Sequence, residues 1–599
     1  MSNQDPIRLK VPHQDIDRCR FFDSDPESAS SWLDSLPMAN LGSTTRQLYQ
    51  AVTELNRVRM LPGKRLALLE LLRTPVYYVT RQLSRHYLNQ PAVLPDQARK
   101  VADLAHALHL QLATGYTIVA THTSALGKRA GVGKPERLIV QALHRAITDH
   151  TLNMLRHCQL YEPVEPGVWN KLHQFYSLAQ QHKLKDQMVA DSEFGACTIE
   201  HCYIRALLIG CCNPNQLRQE DFMGIFSPLT KWASLCDLSG EQPTLFVVDP
   251  RDDKPAVYRQ LYESMLQANW LNLDTKGLVE HLQTIKENTD THSIKAKEDK
   301  FVISTDLLSH LIVSWSVMSK RMFMRMESQD HLELCLGLSA THHFISGEMA
   351  FESLVQEKGA STYTMQLENP FLKVKSPPKR TKDVWDGPQE KNIVNAEIAL
   401  DSIEFDIKEN AKKQVHAKPE KSKYYYHRVT MINSSAHGYC VEWPKDIKAQ
   451  LKTGEIIGIR DAMSHNWSIA CIRWVSHSDD HTQLGLELIS PSAAPYGGRI
   501  IQKTGSQSEY VRVLILPEIS ALSQPATLLT PRVPFKEGNK VIINQQGQEV
   551  QVQLTRKINQ TGAYNQFEFR RTASYAKTAE SDDGLVEKND EFDSLWGSL

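Results

Sequence analysis

Apolar residues recur at helical spacing through the first third of the chain. Leu48, Val52 and Leu55 fall at i, i+4 and i+7, and Val101, Leu104 and Leu108 at i, i+3 and i+7, so each set lines one face of a helix. Ser43 or Thr44 offers an oxygen to cap the first of these helices, and Pro75 is expected to end or kink the one carrying Leu66, Leu69 and Leu72. Further amphipathic stretches cover roughly 136–158, 168–183 and 199–212. Residues 1–42 read as an extended segment, because Pro12, Pro26 and Pro37 limit helix formation. Within that segment Trp32, Leu33, Leu36 and Met38 form a short apolar patch that can dock on the helices behind it.

A mainly helical domain over 43–320 follows. Trp169, Leu172 and Tyr176 match the opening of a tetratricopeptide repeat, but His173 stands where that repeat has Gly and Lys185 where it wants a small residue. No second copy recurs at a fixed period, so a helical bundle is expected. The run Thr244–Asp249 fits a short strand, and 304–326 a helix with Leu307, Leu308, Leu311, Ile312 and Trp315 on its apolar side. Arg321 and Arg325 then lie one turn apart at the end of that helix.

From Tyr424 the pattern changes. Tyr424–Ile432, Tyr439–Trp443, Gly454–Ile459, Ser468–Val475 and Gln483–Ile489 are short apolar runs separated by Gly, Pro and polar turns, the spacing of a small antiparallel barrel. Between the first two runs stands Asn433-Ser434-Ser435-Ala436-His437-Gly438, an Asn-x-Ser-x-x-Gly sequence. Arg321-Met322-Phe323-Met324-Arg325 supplies an Arg-x-x-x-Arg pair before the strand-like His331–Leu338. These two motifs, in this order around a strand, resemble those of the PilZ domain, a bacterial receptor module for cyclic di-GMP.

The resemblance implies a split PilZ-like β-barrel from 321–350 and 422–490. The two motifs lie much farther apart than the few tens of residues usual in the family. A polar, lysine-rich, proline-containing stretch over 351–421 accounts for the excess and reads as a disordered insertion. The expected ligand residues are Arg321, Arg325, Asn433, Ser435 and Gly438, with Gly438 allowing a tight turn and close approach of the ligand. Each motif alone is weak. Arg-x-x-x-Arg is common on solvated helix faces, and Asn-x-Ser-x-x-Gly is often only a turn.

Strand signals continue over 491–575, in Tyr510–Leu516, Lys540–Ile543 and Val550–Leu554, which reads as a second β domain or an extension of the barrel. Residues 576–599 form an acidic tail, expected to be disordered, whose Phe592, Leu595 and Trp596 either dock on a partner or pack back on the chain. The fold class is therefore α+β multidomain: an N-terminal helical bundle, a PilZ-like antiparallel barrel and a further small β domain.

Composition narrows the function. With 599 residues, 41% hydrophobic and 23% charged, the chain can bury several cores, and its formal net charge of −1 supplies no field for nucleic acid polymers or anionic membranes. It holds no run of ~18 apolar residues and no basic-then-apolar leader, and ten cysteines form no disulfide framework, so a cytoplasmic setting is expected.

Gly127–Pro135 departs from a phosphate loop at Lys128 and at Pro135, which replaces the magnesium-binding Ser/Thr. Cys197, His201, Cys202, Cys211 and Cys212 lack paired C-x-x-C spacing and read as buried thiols rather than a metal site. His342-His343 and the rest of the chain show no nucleophile with a base, so no catalysis, metal or cofactor is expected. Two readings remain open: a cyclic di-GMP receptor coupling ligand to protein contacts through its helical domain or tail, and a ligand-independent PilZ-like scaffold.

Overall fold

The buried stripe Leu48, Val52 and Leu55 belongs to α2 (Leu41–Arg57), which is capped by Asn40 rather than by Ser43 or Thr44. The Asn40 side-chain oxygen accepts from the Ser43 N–H at 3.0 Å, so the helix starts earlier than its serine and threonine suggest. The computed structural model describes residues 9–91, 93–127, 134–238, 243–288, 293–295, 302–318, 324–355, 424–461, 464, 466–478, 481–501, 508–519 and 524–572. Residues 1–42 are not extended throughout. Pro26 opens α1 (Pro26–Asp34), where its missing N–H costs nothing, and the Asp25 carboxylate caps it. Trp32 of α1 packs on Phe22, ring centroids 5.2 Å apart.

Pro75 does not end its helix. α3 runs from Pro62 to Tyr87 through it, with Leu72, Val76 and Val79 fully buried on either side. Packing of that face offsets the lost hydrogen bond, a cost of about 3 kcal/mol. Next come α4 (Asp96–Leu126), α5 (Pro135–Gln159), α6 (Val168–Gln181), α7 (Ile199–Gly210) and α8 (Asp221–Trp232). α5 is buried on nearly all sides, with α4, α6 and α7 against it, which is a bundle with a central helix.

Charges inside the bundle are paired. Asp191 accepts from Arg73 at 2.7 Å and Arg145 at 2.9 Å, and Arg145 also reaches Glu70 at 3.0 Å. Asp149 accepts from the Tyr77 hydroxyl at 2.8 Å and faces His109 Nδ1 at 2.8 Å.

Short strands decorate this region. β1 (Met188–Val189) pairs with β2 (Cys197–Thr198), and β3 (Phe246–Val248) is the central strand between β4 (Val257–Tyr258) and β5 (Leu271–Leu273). After α9 (Lys276–Glu287), β6 (Ser293–Lys295) pairs with β7 (Val302–Ser304), and the chain enters α10 (Thr305–Ser316). α10 ends at Ser316, ten residues short of 326, and Val317 is already extended. Arg325 therefore lies in extended chain, not on a helix. Arg321 lies outside the described residues.

That extended chain leads into β8 (Met326–Glu327) and β9 (His331–Leu336), which joins β10 (His427–Ser435), β11 (Gly438–Trp443), β12 (Ile456–Asp461), β13 (Ser468–His477) and β14 (Thr482–Ser490). The antiparallel ring runs β10, β11, β14, β13, β12, β9 and back to β10, with β8 added beside β10. Leu332, Leu334, Val429, Val441, Ile457, Ile459, Ile472 and Leu484 fill its interior. β9 thus takes its place between β12 and β10 although a long stretch of sequence separates it from β10.

The chain leaving β9 forms α11 (Gly337–Ile345) and α12 (Phe351–Leu354). Residues 351–421 accordingly begin as a helix, and 356–421, like 576–599, lie outside the described residues. Tyr424 and Tyr426 precede the strand and pack on His343 and Phe344 of α11.

The strands after 491 close on themselves instead of extending the first ring. β15 (Ala494–Ile500), β16 (Val511–Leu516), β17 (Thr527–Pro531), β18 (Lys540–Gln545), β19 (Gln548–Gln560) and β20 (Tyr564–Arg571) form a second barrel in the order β15-β16-β17-β20-β19-β18. Gln546 and Gly547 both take positive φ in the two-residue turn joining β18 to β19.

The barrels share an apolar seam. Ile456, Ile469 and Cys471 of the first meet Leu514, Leu516, Leu529 and Tyr564 of the second. The helical region joins both: His477 N–H donates to Tyr161 O at 2.7 Å, Arg218 Nε to Thr453 O at 3.0 Å, and Gln560 Nε2 to Asp306 Oδ2 at 3.1 Å. Among the described residues, no helix is long and apolar enough to cross a membrane.

Candidate functional site

The β10–β11 hairpin turns through Ala436 and His437, and Ser435 and Gly438 face each other as its last pair. Ser435 Oγ donates to Gly438 O at 3.2 Å. β8 lies along the other edge of β10, with Glu327 opposite Asn433 and Met326 opposite Ser434. This pairing brings Arg325, just ahead of Met326, to the hairpin end. An open cavity forms there, lined by Arg325, Asn433, Ser435 and Gly438 together with His437, Tyr439, Arg473, Trp474, Gly485 and Leu486.

Two bulges shape the cavity. In β10 the pairing skips Ile432 between Met431 and Asn433, and in β13 it skips Arg473 between Ile472 and Trp474. A bulge breaks the alternation of a strand, so Arg473 and Trp474 both face outward while Ile472 and Val475 stay buried. Trp474 is paired with Gly485, where an added Cβ would lie 1.8 Å from the indole Nε1. The indole therefore needs a glycine beneath it.

Gly438 is required for a different reason from the one its motif suggests. It is not among the positive-φ residues but the first residue of β11, and a Cβ there would lie 1.9 Å from the backbone oxygen of Leu486. Close approach of β14 demands glycine at this position.

Two guanidinium groups dominate the charge of the cavity. Burial raises the Cys440 thiol above its ordinary value, and the Arg325 charge acts against that rise, so the guanidinium sits near β11. Arg473 pairs with Glu487 of β14, both partly exposed. Such exposed pairs are worth about 0–1 kcal/mol, so an incoming anion can compete for the arginine. Arginines on a concave polar surface beside Asn, Ser and two aromatic faces suit an anionic, planar, hydrogen-bonding ligand.

Arg325, Asn433, Ser435 and Gly438 thus come together, while the placement of Arg321 is outside the described residues. Arg473 and Trp474 were missed by the motif reading. Their sequence signal is Gly485 in the interior of a strand.

The cysteine group behaves differently. Cys211 and Cys212 donate to the carbonyls of Leu208 and Ile209, while Cys197 and Cys202 lie 3.3 Å apart beside His144. His144 Nδ1 accepts from Arg145 at 3.3 Å, which leaves the ring proton on Nε2, facing Cys197 at 3.2 Å. These groups form a buried polar cluster.

Family models match three consecutive segments of the chain. Residues 27–244 match the N-terminal domain of the cyclic-di-GMP receptor FimW, 245–495 its middle PilZ domain, and 496–572 its C-terminal β-barrel domain. The Cyclic-di-GMP receptor FimW of Pseudomonas aeruginosa is 35% identical over 624 residues, covering 100% of this chain and 100% of that protein. No solved structure matches. Helices α1–α8, then β3–β7 with α9–α12 and the ring of strands around the cavity, and finally the second barrel therefore correspond to the three domains of one family: the chain is a member of the FimW family.

Proposed function

We propose that this protein is a receptor for cyclic di-GMP and that the dinucleotide binds in the cavity at the β10–β11 hairpin end. The observation that carries the reading is the convergence of Arg325 with Asn433, Ser435 and Gly438, which the sequence sets far apart. Arg325 pairs with a phosphate through a forked guanidinium, and Arg473 exchanges Glu487 for the second anionic group. Asn433 and Ser435 hydrogen-bond a guanine edge or phosphate, and the Trp474 and Tyr439 rings offer faces for stacking. Arg321, from the segment just before Arg325, completes the clamp.

Because residues 317–325 connect α10 to the barrel, closing an arginine clamp on ligand changes how that connection is held. The helical domain then presents a different surface to a protein partner, the differential contact being made only in the bound state. Calorimetric titration of cyclic di-GMP into the wild type, Arg325→Ala and Asn433→Ala tests the site. Saturable binding weakened at least tenfold by each substitution supports it. Binding that survives both places the ligand elsewhere, and no binding in the wild type favours the scaffold reading.

A further inference from the structure

A second cluster lies at the seam between the helical region and the first barrel. α4 and α5 run side by side and bring His106 and His157 together, ring centroids 4.7 Å apart at 75°. Asn153 Nδ2 donates to His106 O at 3.2 Å and fixes the register of the two helices there. Beyond α5, Tyr161 takes a positive φ of 58° and turns the chain back over the helix end. Glu162 N–H donates to His157 O at 2.9 Å and Val168 N–H to Glu165 O at 3.3 Å, which folds residues 162–165 into a short return.

The return carries Glu165 to the two imidazoles. Its Oε1 lies 3.4 Å from His106 Nε2 and 4.0 Å from His157 Nε2. The second distance is too long for a hydrogen bond, and His157 Nε2 is buried with no hydrogen-bond partner. Donor atoms around one tetrahedral zinc ion lie about 3.3 Å apart, given bonds of about 2.0 Å. The three donors all lie within 4.8 Å of one another, so a small inward shift reaches that geometry.

We propose that His106, His157 and Glu165 bind one divalent transition-metal ion, of which zinc fits the donor set best. Two imidazoles and one carboxylate form a borderline nitrogen–oxygen set that leaves a fourth position for water. The surroundings have the parts such a site uses. His157 Nδ1 faces Glu162 Oε2 at 3.6 Å, and Glu162 is itself paired with Arg99, so the imidazole has an orienting carboxylate behind it. Asp103 adds another carboxylate to the neighbourhood, which a dication offsets. Glu165 is 51% exposed, so an ion has a path from solvent.

The ion would brace the segment that docks the barrel. Tyr161, within the same return, accepts from His477 N–H at 2.7 Å and donates its hydroxyl to Leu217 O at 3.0 Å. Metal bound beside it holds this contact between helical region and barrel.

The test is titration of reduced, metal-stripped full-length protein with Co2+ alone, read by visible absorption, followed by displacement with Zn2+. One equivalent giving tetrahedral ligand-field bands without sulfur-to-metal charge transfer is expected. His106→Gln and Glu165→Gln should each weaken binding at least tenfold, and Cys197→Ser should leave it unchanged. Glu165 is exposed enough that its variant is expected to fold, which circular dichroism verifies. Absence of saturable binding, binding that survives both substitutions, or charge-transfer bands that vanish in Cys197→Ser would each overturn the assignment.

Discussion

Replacing Gly438 with Ala separates two roles that the motif glycine could have. A Cβ at this position lies 1.9 Å from Leu486 O, 3.0 Å from Leu486 C and 3.2 Å from Glu487 Cα. All three are backbone atoms, so no side chain can rotate away; β14 must move by more than 1 Å relative to β11, on the order of the shortfall from ordinary contact. The strands are paired from Gly438↔Glu487 to Trp443↔Thr482. Opening the first pairs to relieve the clash loses two or three ladder hydrogen bonds, at about 1 kcal/mol each.

The local cost is thus about 2–3 kcal/mol, which corresponds to roughly 30–160-fold faster opening. Hydrogen–deuterium exchange of the full-length variant reads this directly: amides around 483–488 and 438–442 should exchange faster by that factor, while those of α5 stay unchanged. Affinity for cyclic di-GMP should fall with them, because Leu486 stands on β14, and Arg473 and Trp474 on β13, which is paired with it and moves with it. Unchanged exchange across β14 with normal affinity would refute the close-approach argument. Lost affinity with unchanged exchange would return Gly438 to a direct role at the ligand.

Three further outcomes follow from the same structure. Gly485→Ala should displace the Trp474 indole, whose Nε1 lies 1.8 Å from the added Cβ, and so shift tryptophan fluorescence and weaken dinucleotide binding by about 1–3 kcal/mol; an unchanged spectrum and affinity would contradict it. Arg73→Met should destabilise the helical region by about 3 kcal/mol, seen as an earlier melting transition by circular dichroism, because it takes one of two arginines from the buried Asp191; equal melting would refute this. Burial alone would raise Asp191, but Arg73 and Arg145 outweigh it and hold the carboxyl below its ordinary value of 3.8. Its contribution to stability is therefore fully present above that value and is lost as pH falls below it through the depressed folded value. Acid melts of Asp191→Asn should show a smaller pH dependence in this window than the wild type.

The helical faces and the first barrel were legible because both rest on periodicity. Leu48, Val52 and Leu55 on one stripe, or Val429 and Met431 alternating into a core, need no knowledge of distant residues. Helix ends were less so. Asn40 competes with Ser43 and Thr44 as a cap, and α10 ends at Ser316 with no breaker there.

The pocket was legible in its motif residues and not in its walls. β13 carries apolar residues on both faces, since Cys471 meets the second barrel and Ile472 fills the first, and this conceals the bulge at Arg473. Gly438 was visible as a motif position, but its physical reason depends on Leu486, which only strand pairing reveals. The His106, His157 and Glu165 cluster has no local spacing signal at all, because it joins two helices and the turn after them.

A structure determined with cyclic di-GMP bound would show whether the dinucleotide occupies the cavity at the β10–β11 hairpin end. A phosphate is expected within hydrogen-bonding distance of the Arg325 guanidinium, with Asn433 or Ser435 on the same ligand and Glu487 released from Arg473. A dinucleotide bound away from these residues, or one that leaves Arg325 without contact, would contradict it.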